Sequence, residues 1–170
     1  MLETMRAADL AKRWLFPPLR RRALLRMVLV AGGAWLVFGH VLLPVRIHGR
    51  SMEPTYRDGG FNLVCLLRYR RSPPQRGDVV AVRLAGRRVL LLKRVVALPG
   101  ETVAFREGRL LVNGRPLPEP YVRFRGSWNL PPRRVRPGHY YLVGDNRSGP
   151  MEAHVFGQAP AERIVGGPLW

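Results

Sequence analysis

The sequence predicts a mainly β protein: an antiparallel β domain behind a single N-terminal transmembrane helix. Three observations carry this. Residues 27–45 form an apolar run of 19 residues in which His40 is the only ionisable side chain. Beyond residue 46 the chain breaks into short apolar runs cut by explicit turn signals, and no 3.6-residue period persists there. A length of 170 residues with 46% hydrophobic content suits one packed domain plus an appendage, and excludes a chain too polar to fold.

The elements follow in order. Residues 1–26 are a basic segment expected on the cytoplasmic side, with Lys12, Arg13, Arg20, Arg21, Arg22 and Arg26 flanking the apolar run. Residues 27–45, at about 1.5 Å per residue, reach roughly 28 Å as a helix, close to the hydrocarbon thickness of a bilayer. Gly32, Gly33 and Gly39 are costly in a water-exposed helix but common in membrane spans. A cleaved signal peptide would show a shorter apolar stretch followed by a small-x-small site. The exit here, Pro44-Val45-Arg46-Ile47-His48, has none. A core helix of a soluble domain would carry a polar face, which this run lacks. Retention of positive charge on the cytoplasmic side then places the N-terminus in the cytoplasm and residues 46–170 across the membrane.

Residues 46–170 read as the extracytoplasmic β domain. Strands are expected at 61–69, 79–85, 89–98, 102–106, 110–112 and 140–143. The intervening turns are Arg76-Gly77-Asp78, Ala85-Gly86-Arg87, Pro99-Gly100-Glu101, Glu107-Gly108 and Asn113-Gly114. Residues 115–138, rich in Pro, Arg and Gly, read as a long irregular connection, with its arginine-rich part a solvated loop near lipid head groups.

Composition narrows the function classes. The formal net charge is +18, from 29 Lys or Arg against 11 Asp or Glu. All the basic residues except Lys12 and Lys93 are arginine, so the rare lysines are the informative ones. Such basicity would hold the domain near anionic membrane lipids. It also suits phosphate contacts, so a non-catalytic tethered domain binding nucleic acid or anionic lipid is one alternative. A single cysteine, Cys65, excludes an internal disulfide framework, and the scattered His40, His48, His139 and His154 give no ligand spacing for a metal. No metal and no cofactor is expected, and the oligomeric state is not legible.

Two residues stand out chemically. Ser51 follows the membrane exit within Gly49-Arg50-Ser51-Met52-Glu53-Pro54-Thr55, a segment that its Gly and Pro keep from being regular helix. Such a serine either caps a turn or presents a hydroxyl that needs a base to become a nucleophile. Lys93 lies in the apolar run Leu90-Leu91-Leu92-Lys93-Arg94-Val95-Val96. Its ammonium is either on the solvent face or desolvated. Desolvation would lower its pKa into the range of a usable base, which an arginine cannot reach. Arg94 points to the opposite strand face. A Ser–Lys pair is one known form of the nucleophile–base arrangement, although spacing alone does not bring the two together.

These residues resemble the bacterial type I signal peptidases (leader peptidases), membrane-anchored Ser–Lys proteases. Gly49-Arg50-Ser51-Met52-Glu53-Pro54-Thr55 is similar to the family's nucleophile box, Gly77-Asp78-Val79-Val80 to the next, and Lys93-Arg94-Val95-Val96-Ala97-Leu98-Pro99-Gly100-Glu101 to the general-base box. Gly144-Asp145-Asn146-Arg147 with Phe156-Gly157 is similar to the last. Four boxes in order behind one span are specific where each alone is weak. The resemblance implies a catalytic domain of the signal-peptidase type, with Ser51 as nucleophile and Lys93 as general base. Gly49, Met52, Pro54, Asp145, Asn146, Arg147, Ser148 and Glu152 would support the site.

Two departures stand out. The family's last box usually runs GDNR-x-x-S-x-D-S-R-x-F-G, and here Pro150, Glu152, Ala153 and His154 occupy the Ser, Asp, Ser and Arg positions. In the family that first Ser helps orient the lysine. Ser148, a backbone carbonyl or water would have to replace it, and Glu152 would pair with Arg147 or His154. Gly49 stands where some members carry a hydroxyl for the oxyanion hole, which leaves the Ser51 N–H as principal donor. The implied substrates are secretory preproteins, cleaved after small residues at P1 and P3 by an enzyme of the bacterial plasma membrane. A dedicated processing peptidase with one narrow substrate is the alternative within the same chemistry.

Overall fold

Residues 21–83, 90–155 and 157–170 are described by a computed structural model of the chain. The expectations for residues 1–20, for the Ala85-Gly86-Arg87 turn, for the strand ends at Leu84, Ala85 and Val89, and for Phe156 lie outside the described residues.

Helix α1, Arg21–Leu36, runs into a π-helical turn, Val37–Val41, and none of these residues is fully buried. The continuous 21-residue span, Arg21–Val41, holds an 18-residue window of mean hydropathy 1.7, long and apolar enough to cross a membrane. It starts six residues before the predicted apolar run and stops earlier. Leu42–Arg46, whose first four residues were expected at the end of the span, instead form strand β1. A short apolar run reads alike as helix end or strand by composition. Pairing decides it here, because Leu42–Arg46 lie antiparallel to β2, Phe61–Cys65. Pro44 is tolerated because β1 is an edge strand.

The β domain contains two antiparallel sheets. The seven-stranded sheet has the order β1-β2-β11-β3-β4-β9-β10, with β3 Val79–Arg83, β4 Leu90–Ala97, β9 His139–Val143, β10 Gly157–Pro160 and β11 Ile164–Pro168. The four-stranded sheet has the order β7-β6-β5-β8, with β5 Thr102–Arg106, β6 Arg109–Val112, β7 Arg115–Pro116 and β8 Leu130–Arg134. Glu107-Gly108 turns β5 into β6 with both residues at positive φ, as a two-residue hairpin demands.

All six predicted strands are present, the first ending at Cys65 rather than Tyr69. Strands β1, β7, β8, β10 and β11 were not foreseen. The 115–138 connection is thus not wholly irregular: it holds β8 and the buried Val122, Trp128 and Val135. Strands β7, β8, β10 and β11 are short and carry Pro or Gly. Their pairing comes from backbone partners rather than from an alternating side-chain pattern.

Side chains alternate across β4 and β9, and both strands are buried on both faces. Val96, Tyr141 and Val143 join Phe105, Trp128 and Leu130 in the larger core cluster. Val95, Tyr140 and Leu142 join Val80 and Val82 in the smaller one. These two central strands fix the functional residues.

Candidate active site

Ser51 lies in a series of turns after β1. Ile47 N–H donates to the Gly60 carbonyl (2.8 Å), Gly59 N–H to the Ile47 carbonyl (2.9 Å), and Tyr56 N–H to the Met52 carbonyl (2.9 Å). The Gly49 N–H donates to Asp58 Oδ1 (2.8 Å), which holds the loop ahead of the serine. Met52 is buried and Ser51 half-buried. The serine is tied to the end of β9, where the Asn146 N–H donates to the Ser51 carbonyl at 3.0 Å. This contact needs Gly144: a Cβ there would lie 2.3 Å from the Ser51 oxygen.

Lys93 sits on β4 opposite Val80 and is only 4% exposed. The surface-lysine reading is therefore excluded. Burial pushes its pKa from the usual 10.5 down to about 8, against the partly opposing field of the Asp145 carboxylate. The Asn146 N–H thus holds Ser51 to the 144–147 turn, and Asp145 of the same turn acts on Lys93 through its field. Ser51 and Lys93 line different cavities.

Asp145 is fully buried and serves Arg94. The guanidinium donates Nε to Asp145 Oδ1 (2.7 Å) and Nη2 to Oδ2 (2.6 Å), and Nη1 to the Gly77 carbonyl (2.6 Å). Thr55 Oγ1 donates to the same carboxylate, and the Arg94 guanidinium lies 3.9 Å from the Tyr121 ring centre. One carboxylate therefore joins the Ser51 loop, strand β4 and the 144–147 turn. Arg94 points away from Lys93, as its place along β4 predicts, and is held by this carboxylate.

Arg147 is buried as well, but not against Glu152. It donates Nε to the Gly144 carbonyl (2.6 Å) and Nη2 to Glu119 Oε1 (2.6 Å), and its guanidinium lies 5.3 Å and 5.7 Å from the Phe105 and Trp128 ring centres. Tyr121 also donates its hydroxyl to Glu119 (3.0 Å), and burial followed by that carboxylate raises the phenol pKa. Glu152 is exposed, so the expected pair with Arg147 or His154 does not form: Glu119 reaches the guanidinium first. Ser148 does not take over the lysine either, because its hydroxyl donates to Asn146 Oδ1 (2.8 Å). Pro150 is exposed and lines a cavity with Trp128 and Ser148, whereas Lys93 lines another with Leu91, Leu142 and Val155. His154 packs edge-on against Trp128 at 4.7 Å, and burial and the nearby Lys93 and Arg147 cations lower its pKa.

Beside Ser51 lies a small cavity of about 40 Å³, lined by Ile47, Met52, Val64, Ala81 and Leu92. A cavity of roughly 150 Å³ is needed for a benzene ring, so this one suits a methyl-sized group. Among the described residues no three His, Cys, Asp or Glu side chains come together to hold a metal ion.

The model of the family "Signal peptidase, peptidase S26" matches residues 20–168. The chain belongs to the signal peptidase family. A probable signal peptidase I-1 of Synechocystis sp. is 35% identical over 135 residues, covering 75% of this chain and 69% of the relative. A signal peptidase I of Leptolyngbya laminosa is 32% identical over 128 residues, 71% of this chain and 63% of that one. The crystal structure of a signal peptidase I from Enterococcus faecalis is 26% identical, with a TM-score of 0.43 over 56% of this chain and 97% of that chain. Family membership makes the chain a serine endopeptidase, and with α1 it fits a membrane-anchored one.

Sequence reasoning did not single out Thr55, Glu119 or Tyr121, and it gave Arg94 a strand face but no role. Glu119 carried one signal: it is the only acid in residues 115–138, a stretch crowded with arginines.

Proposed function

We propose that this peptidase removes signal peptides from secretory preproteins through an acyl-enzyme on Ser51, with Lys93 as general base. The observation that carries the reading is the burial of Lys93, which makes a neutral amine available near physiological pH within the field of Asp145, whose neighbour Asn146 holds the Ser51 carbonyl. Lys93 accepts the Ser51 Oγ proton while Oγ attacks the scissile carbonyl carbon. The Ser51 N–H donates to the oxyanion, a contribution of about 3 kcal/mol for such a donor. The tetrahedral intermediate collapses as the C–N bond breaks, and the proton passes from Lys93 to the leaving amine. Lys93 then deprotonates water, which attacks the ester and frees Ser51.

The small cavity beside Ser51 supports a preference for small P1 residues. Gly49, Met52 and Pro54 shape the serine loop. Asp145, Asn146 and Arg147 fix it against β9, and Ser148 buttresses Asn146. Helix α1 would anchor the enzyme in a bacterial plasma membrane. The basic N-terminal flank favours a cytoplasmic N-terminus, with the β domain beginning at Leu42 on the far side.

The test is detergent-solubilised full-length protein acting on a preprotein, beside Ser51→Ala and Lys93→Met. Both variants should remain folded, with a cooperative thermal transition, and lose cleavage. A Lys93→Met enzyme with near-parent activity would remove the general base from the reading. Cleavage of many unrelated preproteins would favour the general enzyme, and cleavage of one only the dedicated peptidase.

A further inference from the structure

The Ser51 loop separates two cavities of opposite character. On one side is the apolar one of about 40 Å³, walled by Ile47 and by Met52 itself. On the other, lined by the residues that continue the loop, is an open groove of about 700 Å³ between Glu53–Asp58 on one wall and Pro120–Phe124 on the other. A peptide bond held at Ser51 sends its acyl side one way and its amine side the other. If the methyl-sized cavity takes the acyl side, the leaving chain runs into the groove. This rests on the peptidase reading above.

The groove is charged, and its charges are unequally engaged. Asp58 is occupied by the Gly49 N–H at 2.8 Å, and Glu53 is paired with Arg50 at 3.0 Å. The floor is closed by Thr55, whose hydroxyl is given to Asp145, and by Tyr121, which lies under the Arg94 guanidinium. The remaining cations, Arg57 and Arg123, are exposed and face each other across the groove without an ion pair among the described residues. Phe124 adds an exposed ring on the same wall. With Glu53 paired to Arg50, one carboxylate, Asp58, stands against two exposed arginines, so the groove keeps a net positive charge, and a guanidinium fork matches a carboxylate.

We propose that this groove is the leaving-group side of the active site, and that Arg57 and Arg123 make it favour acidic side chains in the first few residues after the scissile bond. The partner chemistry is that of an extended, carboxylate-bearing polypeptide, continuous with the segment cleaved.

The experiment uses the full-length enzyme in detergent and one preprotein in three versions, with Asp, Ser or Lys at the second to fourth positions after the cleavage site. The parent should cleave the Asp version with a kcat/KM about three to ten times that of the Lys version, the size expected of two solvent-exposed ion pairs. The ratio should contract as salt is raised. In Arg57→Glu/Arg123→Glu the order should reverse. Single Arg57→Gln and Arg123→Gln variants should each lower the ratio, which covers the case of a double variant that does not fold. Arg109→Glu, on the exposed side of β6, should leave the ratio unchanged. Equal cleavage of all three versions by an active parent would overturn this inference and leave the peptidase reading standing, as would a ratio unaltered in both single variants. A parent that cleaves no version would overturn both.

Discussion

The two faces of strand β4 solve one problem in opposite ways. Lys93 and Arg94 are consecutive, cationic and buried. On one face Arg94 is met by a two-pronged carboxylate, a carbonyl and an aromatic ring, and Asp145 outweighs burial to raise its pKa. On the other, Lys93 lies among Leu91, Leu142 and Val82, feels Asp145 only as a more distant field, and is pushed down to about 8. Burial depth is thus no guide to protonation: the partner within hydrogen-bond reach decides it. One cation is structural because its charge is fixed. The other is suited to chemistry because its charge is not.

Exchanging the faces breaks the contrast most strongly. Lys93→Arg places a permanently charged group on the face without a carboxylate. It should lower kcat/KM by about 10²–10⁴-fold in single-turnover cleavage, the range for loss of a general base. Arg94→Met strands Asp145 without its partner and should cost about 3–5 kcal/mol in urea unfolding, whereas Arg94→Lys should cost less. A smaller effect appears in the pH dependence of stability. The Lys93 amine loses its proton at about 8 when folded and near 10.5 when unfolded. The unfolded state therefore binds more protons between those values, and stability rises with pH across that window. Relative to Lys93→Met, the parent should gain on the order of 3 kcal/mol between pH 7 and 11.

Two finer measurements sharpen the comparison. The kcat/KM of the parent should climb through pH about 8 as Lys93 is neutralised. In Asp145→Asn that limb should move to lower pH, since the carboxylate that raises the lysine pKa is gone, and variants that remain folded report it directly. His154→Gln should leave the limb where it is, because burial and the Lys93 and Arg147 cations keep the ring neutral across that range. A limb displaced by this change would show that His154 positions the amine.

What could be read in the sequence was whatever declares itself along the chain. Hairpins at Glu107-Gly108 and Asn113-Gly114 announce themselves by residue type, and β2 to β6 and β9 by their β-branched and aliphatic content. Lys93 stood out because a lysine in an apolar run of an arginine-rich chain has few explanations. Strands β1, β7, β8, β10 and β11 were hidden because their Pro and Gly content breaks the pattern that pairing does not require. The partners of the buried arginines were hidden for a different reason. Arg147 finds Glu119 at a separation of 28 residues and Arg94 finds Asp145 at 51, and no local spacing carries that information. The altered final box misled in the same way, by offering Glu152 as a nearer acid.

Strand β11 lies between β2 and β3, the strands that bear Val64 and Ala81 on the walls of the small cavity. Its residues come about a hundred positions after β2, so closing the sheet is a late, non-local event. The consequence is one of timing. Until Ile164–Pro168 has been synthesised and has slipped between its neighbours, β2 and β3 have no strand joining them and the cavity walls they bear are not held together. Chains ending before β11 should be inert towards a preprotein in a translation-and-cleavage assay. A peptidase made among apolar N-terminal helices, its own included, thus stays harmless until β11 is in place.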